Sequence, residues 1–380
     1  MRHVFLSFVI FVILNAASSL LPAQDTPAKP APPKPRTTFV SPEVHADKRV
    51  TFRVAAPNAK LVELDATPPL KRTPMEQESD GVWSVTFGPI APGLYHYWIR
   101  VDGVAMADAM NPVTKPAIFP TKSLLEVPGD TPEIHEIQDV PHGVVRMHYY
   151  FSKVIGKQRA LRVYTPPGYH DDGPQLPALY LYPGSTNNEE SWMGEGRANF
   201  IMDNLLAAKR CVPMLVVLPQ IHALDPRVPA NGRDDLTLVD QEIASEIIPL
   251  IDAYYRTLAD REHRALAGLS KGGVQTQVTG IAHHDLFAWL GVFSGARNNT
   301  GELLNKANLA PAKFSEHTKL LWLGVGKNDG AIKGMEEFHA FLDENKIRHT
   351  WRLTEGIHEF TLWRPYLAEF ASLLFQSEQR

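Results

Sequence analysis

The sequence predicts an α/β protein in two folded parts: a small all-β sandwich over residues 38–128, then a larger domain with a mostly parallel sheet over residues 146–380. Two patterns along the chain predict this division. Short alternating stretches separated by turn dipeptides fill the first part, which is typical of an antiparallel sandwich. From about residue 146, continuous apolar stretches alternate with helix-like stretches, which indicates a parallel sheet covered on both faces. Residues 129–145 are expected to link the two parts.

The beginning of the chain has the pattern of an export signal. Residues 1–23 start with a short basic stretch, continue with an apolar run and end in small residues, so cleavage is expected near Ala23. The apolar run is too short to span a bilayer comfortably, and no later segment has the necessary length and apolar character. Residues 24–37 are polar and rich in proline, which predicts an extended linker. We therefore expect an exported protein, periplasmic or extracellular.

Composition and charge argue against two classes of partner. The 380 residues are 44% hydrophobic and 21% charged, with a net charge of −4, which is ordinary for a globular protein. This balance gives no electrostatic reason to expect nucleic acid or an anionic membrane as a partner. Cys211 is the only cysteine in the sequence, so neither an intramolecular disulfide nor a cysteine-based zinc site can form.

Turn signals divide the first part into short strands. The predicted strands are residues 50–55, 61–64, 82–87 and 94–101. Trp83, Tyr97 and Trp98 are candidates for a glycan platform. Neighbouring residues of a strand face opposite sides, so we expect at least one of Tyr97 and Trp98 to lie in the core.

The larger domain has the pattern of strands with helices between them. The predicted strands are Ala160–Tyr164, Ala178–Tyr182, Met214–Leu218, Arg264–Ala267, Trp289–Phe293, Leu320–Val325 and Thr350–Leu353. Helix-like stretches lie near residues 198–208, 239–256, 272–282, 334–344 and 362–375. Parallel strands need long crossover connections, usually helices, and this alternation supplies them.

A motif for nucleophilic catalysis lies between the fourth of these strands and the helix after it. Gly268-Leu269-Ser270-Lys271-Gly272 fits the G-x-S-x-G pattern, in which a sharp strand-to-helix turn presents a serine at its tip. Side chains at the flanking positions would clash in such a turn, so glycine is needed there. A glycine-rich surface turn can have the same pattern, but the strand before it and the helix after it favour Ser270 as a nucleophile.

A serine nucleophile needs a base, and the base needs a carboxylate that fixes its tautomer. In hydrolases with this turn, the acid and the histidine follow the serine in that order, each on a loop after a strand. Asp329 follows the strand at 320–325, and His358 follows the strand at 350–353. The sequence therefore predicts Ser270, Asp329 and His358 as a catalytic triad.

The tetrahedral intermediate of acyl transfer carries an oxyanion that needs N–H donors. One donor is expected from Lys271, the residue after the nucleophile, and the other from a loop after an early strand. That loop is the Gly184–Ser185 turn, with Ser185 slightly favoured, although an ordinary Pro-Gly turn would have the same sequence. The Lys271 side chain is expected either to favour an acidic group of the substrate or to point to solvent.

Three side chains near the expected mouth of the site are candidates for substrate contact. Trp192 follows the oxyanion loop, Gln220 follows the strand at 214–218, and Trp363 lies shortly after His358. The two tryptophans could stack on a sugar or an aryl acid, but core packing is the commoner fate of this residue.

Several segments of residues 146–380 resemble one family. They are VYTPPGYHDD, LYLYPGSTNNEESW, GRANFIMDNLLA, PMLVVLP, AGLSKGG, LGVGKND and GIHEFTLWRPYL. These segments resemble the esterase D-like α/β-hydrolases, particularly the feruloyl and acetylxylan esterases of carbohydrate esterase family one. The resemblance implies the same triad, Ser270, Asp329 and His358. Two positions depart from the family, which usually has His where this chain has Pro183 and Met where it has Lys271.

Residues 41–115 resemble the immunoglobulin-like early-set modules related to glycogen-binding domains, most clearly in the segment DGVWSVTFGPIAPGLYHYWIRVDG. Such a module often precedes these esterases. Together, the resemblances imply a secreted serine carboxylic-ester hydrolase that removes feruloyl or acetyl groups from plant cell-wall polysaccharide such as xylan. Its partner would be an acylated polysaccharide or a small ester, and it would need no metal or organic cofactor.

Two alternatives stay open at this point. The same chemistry would serve a siderophore trilactone esterase or an acyl transferase. A protein of another class, a carbohydrate-binding protein with an inert hydrolase domain, would also account for the departures at Pro183 and Lys271.

Overall fold

The computed structural model describes residues 38–78, 81–118, 122–225 and 235–376. Apart from Thr38, these residues belong to one compact unit, Phe39–Arg380. The predicted signal peptide and the predicted linker before residue 38 lie outside the described residues. Within the described ranges, no helix has both the length and the apolar character that a membrane span needs.

The first part of the described chain consists of two antiparallel sheets. Its strands are β1 (Glu43–Val44), β2 (Val50–Ala55), β3 (Val62–Ala66), β4 (Thr73–Pro74), β5 (Glu76–Gln77), β6 (Val82–Phe87), β7 (Gly93–Val101), β8 (Val104–Met106) and β9 (Ser123–Val127). One sheet has the order β1-β2-β6-β5, and the other has the order β4-β3-β7-β8, with β9 also paired to β7. Phe52 of the first sheet and Tyr97 of the second are fully buried in one core, with 4.9 Å between their ring centroids.

The strand predictions for this part agree with the structure to within two residues. Tyr97 is fully buried, whereas Trp98 is half-buried and has the Lys122 ammonium 4.5 Å from its ring centroid. Trp83 also lies in the core, where its indole N–H donates to the Ala56 carbonyl. Trp83 and Tyr97 are therefore core residues and not parts of a glycan platform. The immunoglobulin-like relationship of these sheets stays a prediction.

The second part of the described chain forms an eight-stranded sheet. Its strands are β10 (Val144–Ser152), β11 (Lys157–Thr165), β12 (Ala178–Tyr182), β13 (Leu215–Pro219), β14 (Arg264–Leu269), β15 (Trp289–Phe293), β16 (Leu320–Gly326) and β17 (Thr350–Thr354). The order is β10-β11-β13-β12-β14-β15-β16-β17. β11 is antiparallel to both of its neighbours, and the remaining pairs are parallel. The predicted mostly parallel sheet is confirmed.

The sequence did not predict β10, because this edge strand alternates exposed and half-buried side chains and has no continuous apolar run. It begins at Val144, two residues before the expected start of this domain.

Helices connect the parallel strands, and one more helix follows the last strand. They are α1 (Ser191–Gly194), α2 (Ala198–Ala207), α3 (Asp235–Glu242), α4 (Ile248–Tyr254), α5 (Lys271–Ala282), α6 (Thr300–Lys306), α7 (Pro311–His317), α8 (Ile332–Glu344) and α9 (Phe360–Leu373). A π-helical turn, Ile243–Ile247, joins α3 to α4 and makes the long helix that the sequence predicts there. The sequence did not predict α1, α6 and α7, because one or two turns are too few to show a helical period.

Both faces of the large sheet are buried, and β14 shows how. Leu266 points into one apolar cluster, whereas Ala265 and Ala267 point into a second cluster on the opposite face. Neighbouring side chains of a strand alternate between faces, so a strand covered on both faces must be apolar throughout. This is why the central strands appear in the sequence as continuous apolar runs.

A partly buried ion-pair network ties the first part to the second. Glu126 of β9 accepts hydrogen bonds of 2.8 Å from Arg364 of α9 and from Arg197 beside α2. His135 lies 2.9 Å from the same carboxylate. Burial raises the pKa of Glu126, but the hydrogen bond from His135 and the two arginines lower it more, to about 2. The network thereby fixes the all-β part next to α9, the helix that follows His358.

Candidate active site

Ser270 lies at the tip of a sharp turn between β14 and α5. Its backbone has φ 54° and ψ −118°, a strained conformation for a residue with a side chain. The surroundings leave no room at Gly272, where a Cβ would lie 2.5 Å from the Pro183 carbonyl oxygen and 2.8 Å from that of Tyr182. The close approach of α5 to the end of β12 therefore requires glycine here, and the turn presents the hydroxyl above the sheet.

Two hydrogen bonds join Ser270 to His358 and Asp329. His358 Nε2 lies 2.9 Å from Ser270 Oγ, and His358 Nδ1 lies 2.7 Å from Asp329 Oδ1. An ionised carboxylate accepts hydrogen bonds, so Nδ1 carries the proton and Nε2 is free to accept the serine proton. Burial raises the pKa of Asp329, but hydrogen bonds, foremost from His358, hold it below the ordinary value. The structure thus brings the three predicted triad residues together.

The predicted oxyanion donors lie beside the nucleophile. A turn closed by the Asn187 N–H and the Gly184 carbonyl at 3.2 Å follows β12, and a Cβ on Gly184 would lie 3.5 Å from Ser270 Cβ. The N–H groups of Ser185 and Lys271 have no hydrogen-bond acceptor among the described residues. Two unpaired donors next to a serine hydroxyl can bind the oxygen of a tetrahedral intermediate.

Both parts of the chain line the cavity at Ser270, which has a volume of about 170 Å³. Gly184, Ser185, Ser270, His358 and Trp363 line it from the second part, and His96 and Lys115 line it from the first. A neighbouring cavity of about 240 Å³ shares Asn187 with it and is lined by Lys157, Gln220 and His222. The sequence did not predict the contribution of the first part, because nothing local to His96 or Lys115 marks a site.

The three predicted substrate contacts have different positions. Trp363 lines the cavity, with its ring edge-on to His358 at 4.8 Å between centroids. Gln220 lines the neighbouring cavity and donates to Glu189 at 2.9 Å. Trp192 is 1% exposed and donates its indole N–H to the Tyr182 carbonyl. The prediction of substrate contact is therefore corrected for Trp192, because a buried indole has no face left for a ligand.

A buried carboxylate closes one wall of the cavity. Glu195 is fully buried, lies 2.6 Å from His96 Nε2 and accepts from the Asn187 amide at 3.2 Å. Lys115 Nζ lies 3.8 Å away. Next to this group, burial raises the pKa of Glu359, the residue after the candidate base. His96 and Lys115 of the first part thus lie within the same cavity as Ser270.

The Lys271 side chain takes neither of the two courses that the sequence left open. Its ammonium is hydrogen-bonded to Asp235 and lies 3.0 Å from His222 Nδ1. His222 Nε2 lies 2.7 Å from the Ser185 carbonyl oxygen. The cation beside the nucleophile is thus paired within the protein and is neither free in solvent nor directed at the cavity.

One group of side chains among the described residues has the composition of a metal site. His339 and Asp343 of α8 lie next to His349, the residue before β17. However, His339 Nδ1 and His349 Nε2 are 2.7 Å apart, whereas two nitrogens on one tetrahedral zinc ion lie about 3.3 Å apart. The two rings are therefore hydrogen-bonded to each other.

Comparison with known proteins identifies relatives of the second part. Residues 152–372 match the Esterase family model, whose description is "Putative esterase". An endo-1,4-beta-xylanase/feruloyl esterase of Xylanibacter ruminicola is 30% identical over 345 residues, which cover 88% of this chain and 46% of that protein. The chain therefore spans less than half the length of this relative.

Solved structures share the fold. A CE1 ferulic acid esterase of Anaeromyces mucronatus has a TM-score of 0.55 at 24% identity, covering 64% of this chain and 96% of the other. An enterobactin esterase of Shigella flexneri has a TM-score of 0.63 at 17% identity, covering 85% of this chain and 92% of the other. At these identities the likeness concerns the fold, and it confirms the predicted α/β-hydrolase architecture.

Proposed function

Because the chain belongs to the Esterase family, we propose that it is a serine carboxylic-ester hydrolase that releases feruloyl or acetyl groups from acylated plant cell-wall polysaccharide such as xylan. The observation that carries the proposal is the pair of hydrogen bonds that joins Ser270, His358 and Asp329 beside a cavity. The chain's own groups supply proton transfer and oxyanion stabilisation, so the reaction needs no metal or organic cofactor.

The reaction follows from the positions of these groups. His358 Nε2 takes the proton of Ser270 as Oγ attacks the ester carbonyl carbon, and Asp329 stabilises the imidazolium that forms. The N–H groups of Lys271 and Ser185 donate to the oxyanion. The imidazolium then gives its proton to the leaving alcohol. A water molecule, deprotonated by the same histidine, attacks the acyl-enzyme and releases the acid.

The choice of acyl group rests on the relatives. The protein of Xylanibacter ruminicola is named for both xylanase and feruloyl esterase activity, and its similarity extends over most of this chain. The wall of polar and aromatic side chains around Ser270 includes Trp363, which lines the cavity although it is only 5% exposed. These features support an ester of an aromatic or small acid on a polysaccharide.

The test is ester hydrolysis by the purified protein, run beside Ser270→Ala. The substrates are a short-chain nitrophenyl ester, methyl ferulate, acetylated xylan and a siderophore trilactone. We expect turnover of methyl ferulate or acetylated xylan, and a loss of at least about 10³-fold in the variant, which lacks the nucleophile. Equal rates for the two proteins would contradict the serine mechanism.

Two other outcomes of this assay would replace the proposal. Preference for the trilactone would favour siderophore ester hydrolysis, which the 85% coverage by the enterobactin esterase fold makes the second candidate. Glycan binding without turnover of any ester, in a folded protein, would favour a carbohydrate-binding protein with an inert hydrolase domain.

We also propose that the protein is exported, because residues 1–23 have the pattern of a signal peptide. N-terminal sequencing of the protein recovered from the periplasm or medium of an expressing bacterium would test this. We expect a chain that starts near Gln24, and an uncleaved cytoplasmic chain would contradict it.

A further inference from the structure

The contacts of Lys271 and His222 connect the two sides of the oxyanion hole. We propose that His222 and Lys271 are positioning residues that hold the two oxyanion N–H donors at a fixed separation. Lys271 belongs to the nucleophile turn and Ser185 to the turn after β12, and each provides one donor. This inference rests on the proposed ester hydrolysis, because that reaction is what gives the oxyanion hole a use.

A continuous series of hydrogen bonds joins the two donor residues through their other groups. The Lys271 ammonium donates to His222 Nδ1 at 3.0 Å, and His222 Nε2 donates to the Ser185 carbonyl at 2.7 Å. The side chain of one donor residue is therefore linked to the backbone of the other. A change in the distance between the two turns would therefore strain these bonds.

The donors and acceptors in this series allow one tautomer of His222. An ammonium group has protons and no acceptor, so His222 Nδ1 must present its lone pair to Lys271. The proton of the neutral ring is then on Nε2, where it is needed for the bond to Ser185. Burial, and next the charge of Lys271, lower the pKa of His222, which favours this neutral form.

Asp235 contacts both the Lys271 side chain and the backbone that follows His222. Its Oδ2 accepts from the Lys271 ammonium, and its Oδ1 accepts 2.8 Å hydrogen bonds from the N–H groups of Ala223 and Leu224. These two residues directly follow His222. The same carboxylate therefore orients the lysine and anchors the loop that carries the histidine.

The other backbone hydrogen bonds of the Gly184–Ser185 turn are long. The Asn187 N–H lies 3.2 Å from the Gly184 oxygen, and the Ile118 N–H lies 3.3 Å from the Thr186 oxygen. Both exceed the usual N–H···O distance of about 2.9–3.0 Å, whereas the bond from His222 is shorter than that. The His222 bond is thus the tightest of these constraints on the turn.

The test compares His222→Ala and Lys271→Met with His222→Gln, whose amide can both donate to Ser185 and accept from Lys271. We expect the first two variants to lower kcat on a nitrophenyl ester about 10-fold, with KM within about twofold, since displacing a donor costs less than the 10²–10³-fold of deleting one. His222→Gln should restore most of the rate. His148→Gln is the matched control. His148 lies on the edge strand β10, where its Nε2 is 2.6 Å from the Tyr255 hydroxyl, so this variant should keep the wild-type rate.

A thionoester substrate, in which sulfur replaces the carbonyl oxygen, tests whether the loss of rate comes from the oxyanion hole. The sulfur of a thionoester accepts hydrogen bonds weakly, so the ratio of the ester rate to the thionoester rate reports on the hole. We expect this ratio to fall in His222→Ala and Lys271→Met by about the factor by which kcat falls. A fall in kcat with an unchanged ratio, or no fall in kcat, would overturn the positioning role.

The state of His222 can also be measured without turnover. Nitrogen-15 NMR of the imidazole groups, with His222→Gln to assign the signal, should show an Nε2–H tautomer that is lost or shifted in Lys271→Met. If the wild-type protein hydrolyses no ester, the proposed function fails. This spectrum would still decide whether the hydrogen bond between Lys271 and His222 exists. An Nδ1–H tautomer, or a signal that ignores Lys271→Met, would overturn the inference.

Discussion

Among single residues, the candidate triad combines a buried acid with an accessible base. Asp329 is 2% exposed, whereas the His358 side chain is 38% exposed and faces the cavity. The lowered pKa of Asp329 keeps the carboxylate ionised at neutral pH, so it accepts from Nδ1 and fixes the tautomer of His358. The proton-accepting nitrogen of the base is thereby directed at Ser270.

Replacement of Asp329 tests this arrangement. We expect Asp329→Asn to lower kcat by about 10³–10⁴-fold, because the amide can stabilise the wrong tautomer of His358 and cannot stabilise an imidazolium. Asp343→Asn removes an exposed carboxylate on α8 and serves as the control, with no expected change in kcat. Nitrophenyl ester kinetics and thermal unfolding of both variants supply the comparison. A loss smaller than about tenfold in folded Asp329→Asn would show that another group orients the histidine.

Among the secondary-structure elements, the site depends on how closely α5 approaches the end of β12. The nucleophile turn places the first turn of α5 against the carbonyl groups of Tyr182 and Pro183, and this closeness sets Ser270 beside the Gly184–Ser185 turn. Backbone atoms cannot move aside as the end of a flexible side chain can. The packing of α5 against the end of β12 therefore requires a residue without a side chain at position 272.

A pair of glycine substitutions measures this requirement. We expect Gly272→Ala to reduce the free energy of unfolding by about 1–3 kcal/mol and to lower kcat, because its Cβ meets two backbone oxygens. Gly301→Ala in α6 is the matched control, since its Cβ meets only the Phe341 side chain at 3.4 Å or more and alanine favours a helix by about 1 kcal/mol. Urea unfolding of both variants gives the two values. Equal stability of Gly272→Ala and the wild type would mean that α5 can shift.

At the scale of the whole molecule, the two parts of the chain share the candidate site. His96 and Lys115 of the first part line the cavity at Ser270, and Glu126 ties the same part to α9. Glu126 lies among Arg364, Arg197 and His135, so the attachment depends on its negative charge.

The attachment should therefore weaken in acid. The folded pKa of Glu126, about 2, lies below the ordinary value of about 4.3 for an unfolded chain. Its contribution to stability is complete above the unfolded value and is lost as the pH falls from about 5 towards 2. We expect Glu126→Gln to reduce the free energy of unfolding by roughly 2–3 kcal/mol at pH 7 and by much less near pH 2.

A second variant makes the acid experiment specific. Glu337→Gln removes an exposed carboxylate of α8 that lies 4.0 Å from the exposed Lys333, and it should leave stability nearly unchanged at both pH values. Chemical unfolding of both variants at pH 7 and at low pH supplies the comparison. A difference between Glu126→Gln and the wild type that does not shrink in acid would contradict the proposed role of the charge.

Local signals account for most of what could be predicted. The G-x-S-x-G turn, an Asp after β16 and a His after β17 are each visible within a few residues, and the structure brings Ser270, Asp329 and His358 together. By contrast, Trp83 and Trp192 were candidates for ligand contact, and the structure buries both side chains in the core. An aromatic side chain has the same identity in a core as in a binding site, and its burial depends on neighbours that the local sequence does not reveal.

The sequence by itself thus determined the α/β class and the mostly parallel sheet, because alternation and apolar runs follow directly from which faces of a strand are buried. Only the tertiary structure decided that His96 and Lys115 reach the cavity and that Lys271 pairs with Asp235 and His222. These contacts join residues that are far apart along the chain and depend on the packing of whole elements. A local sequence pattern cannot predict these contacts, because the partners of each residue come close only in the folded chain.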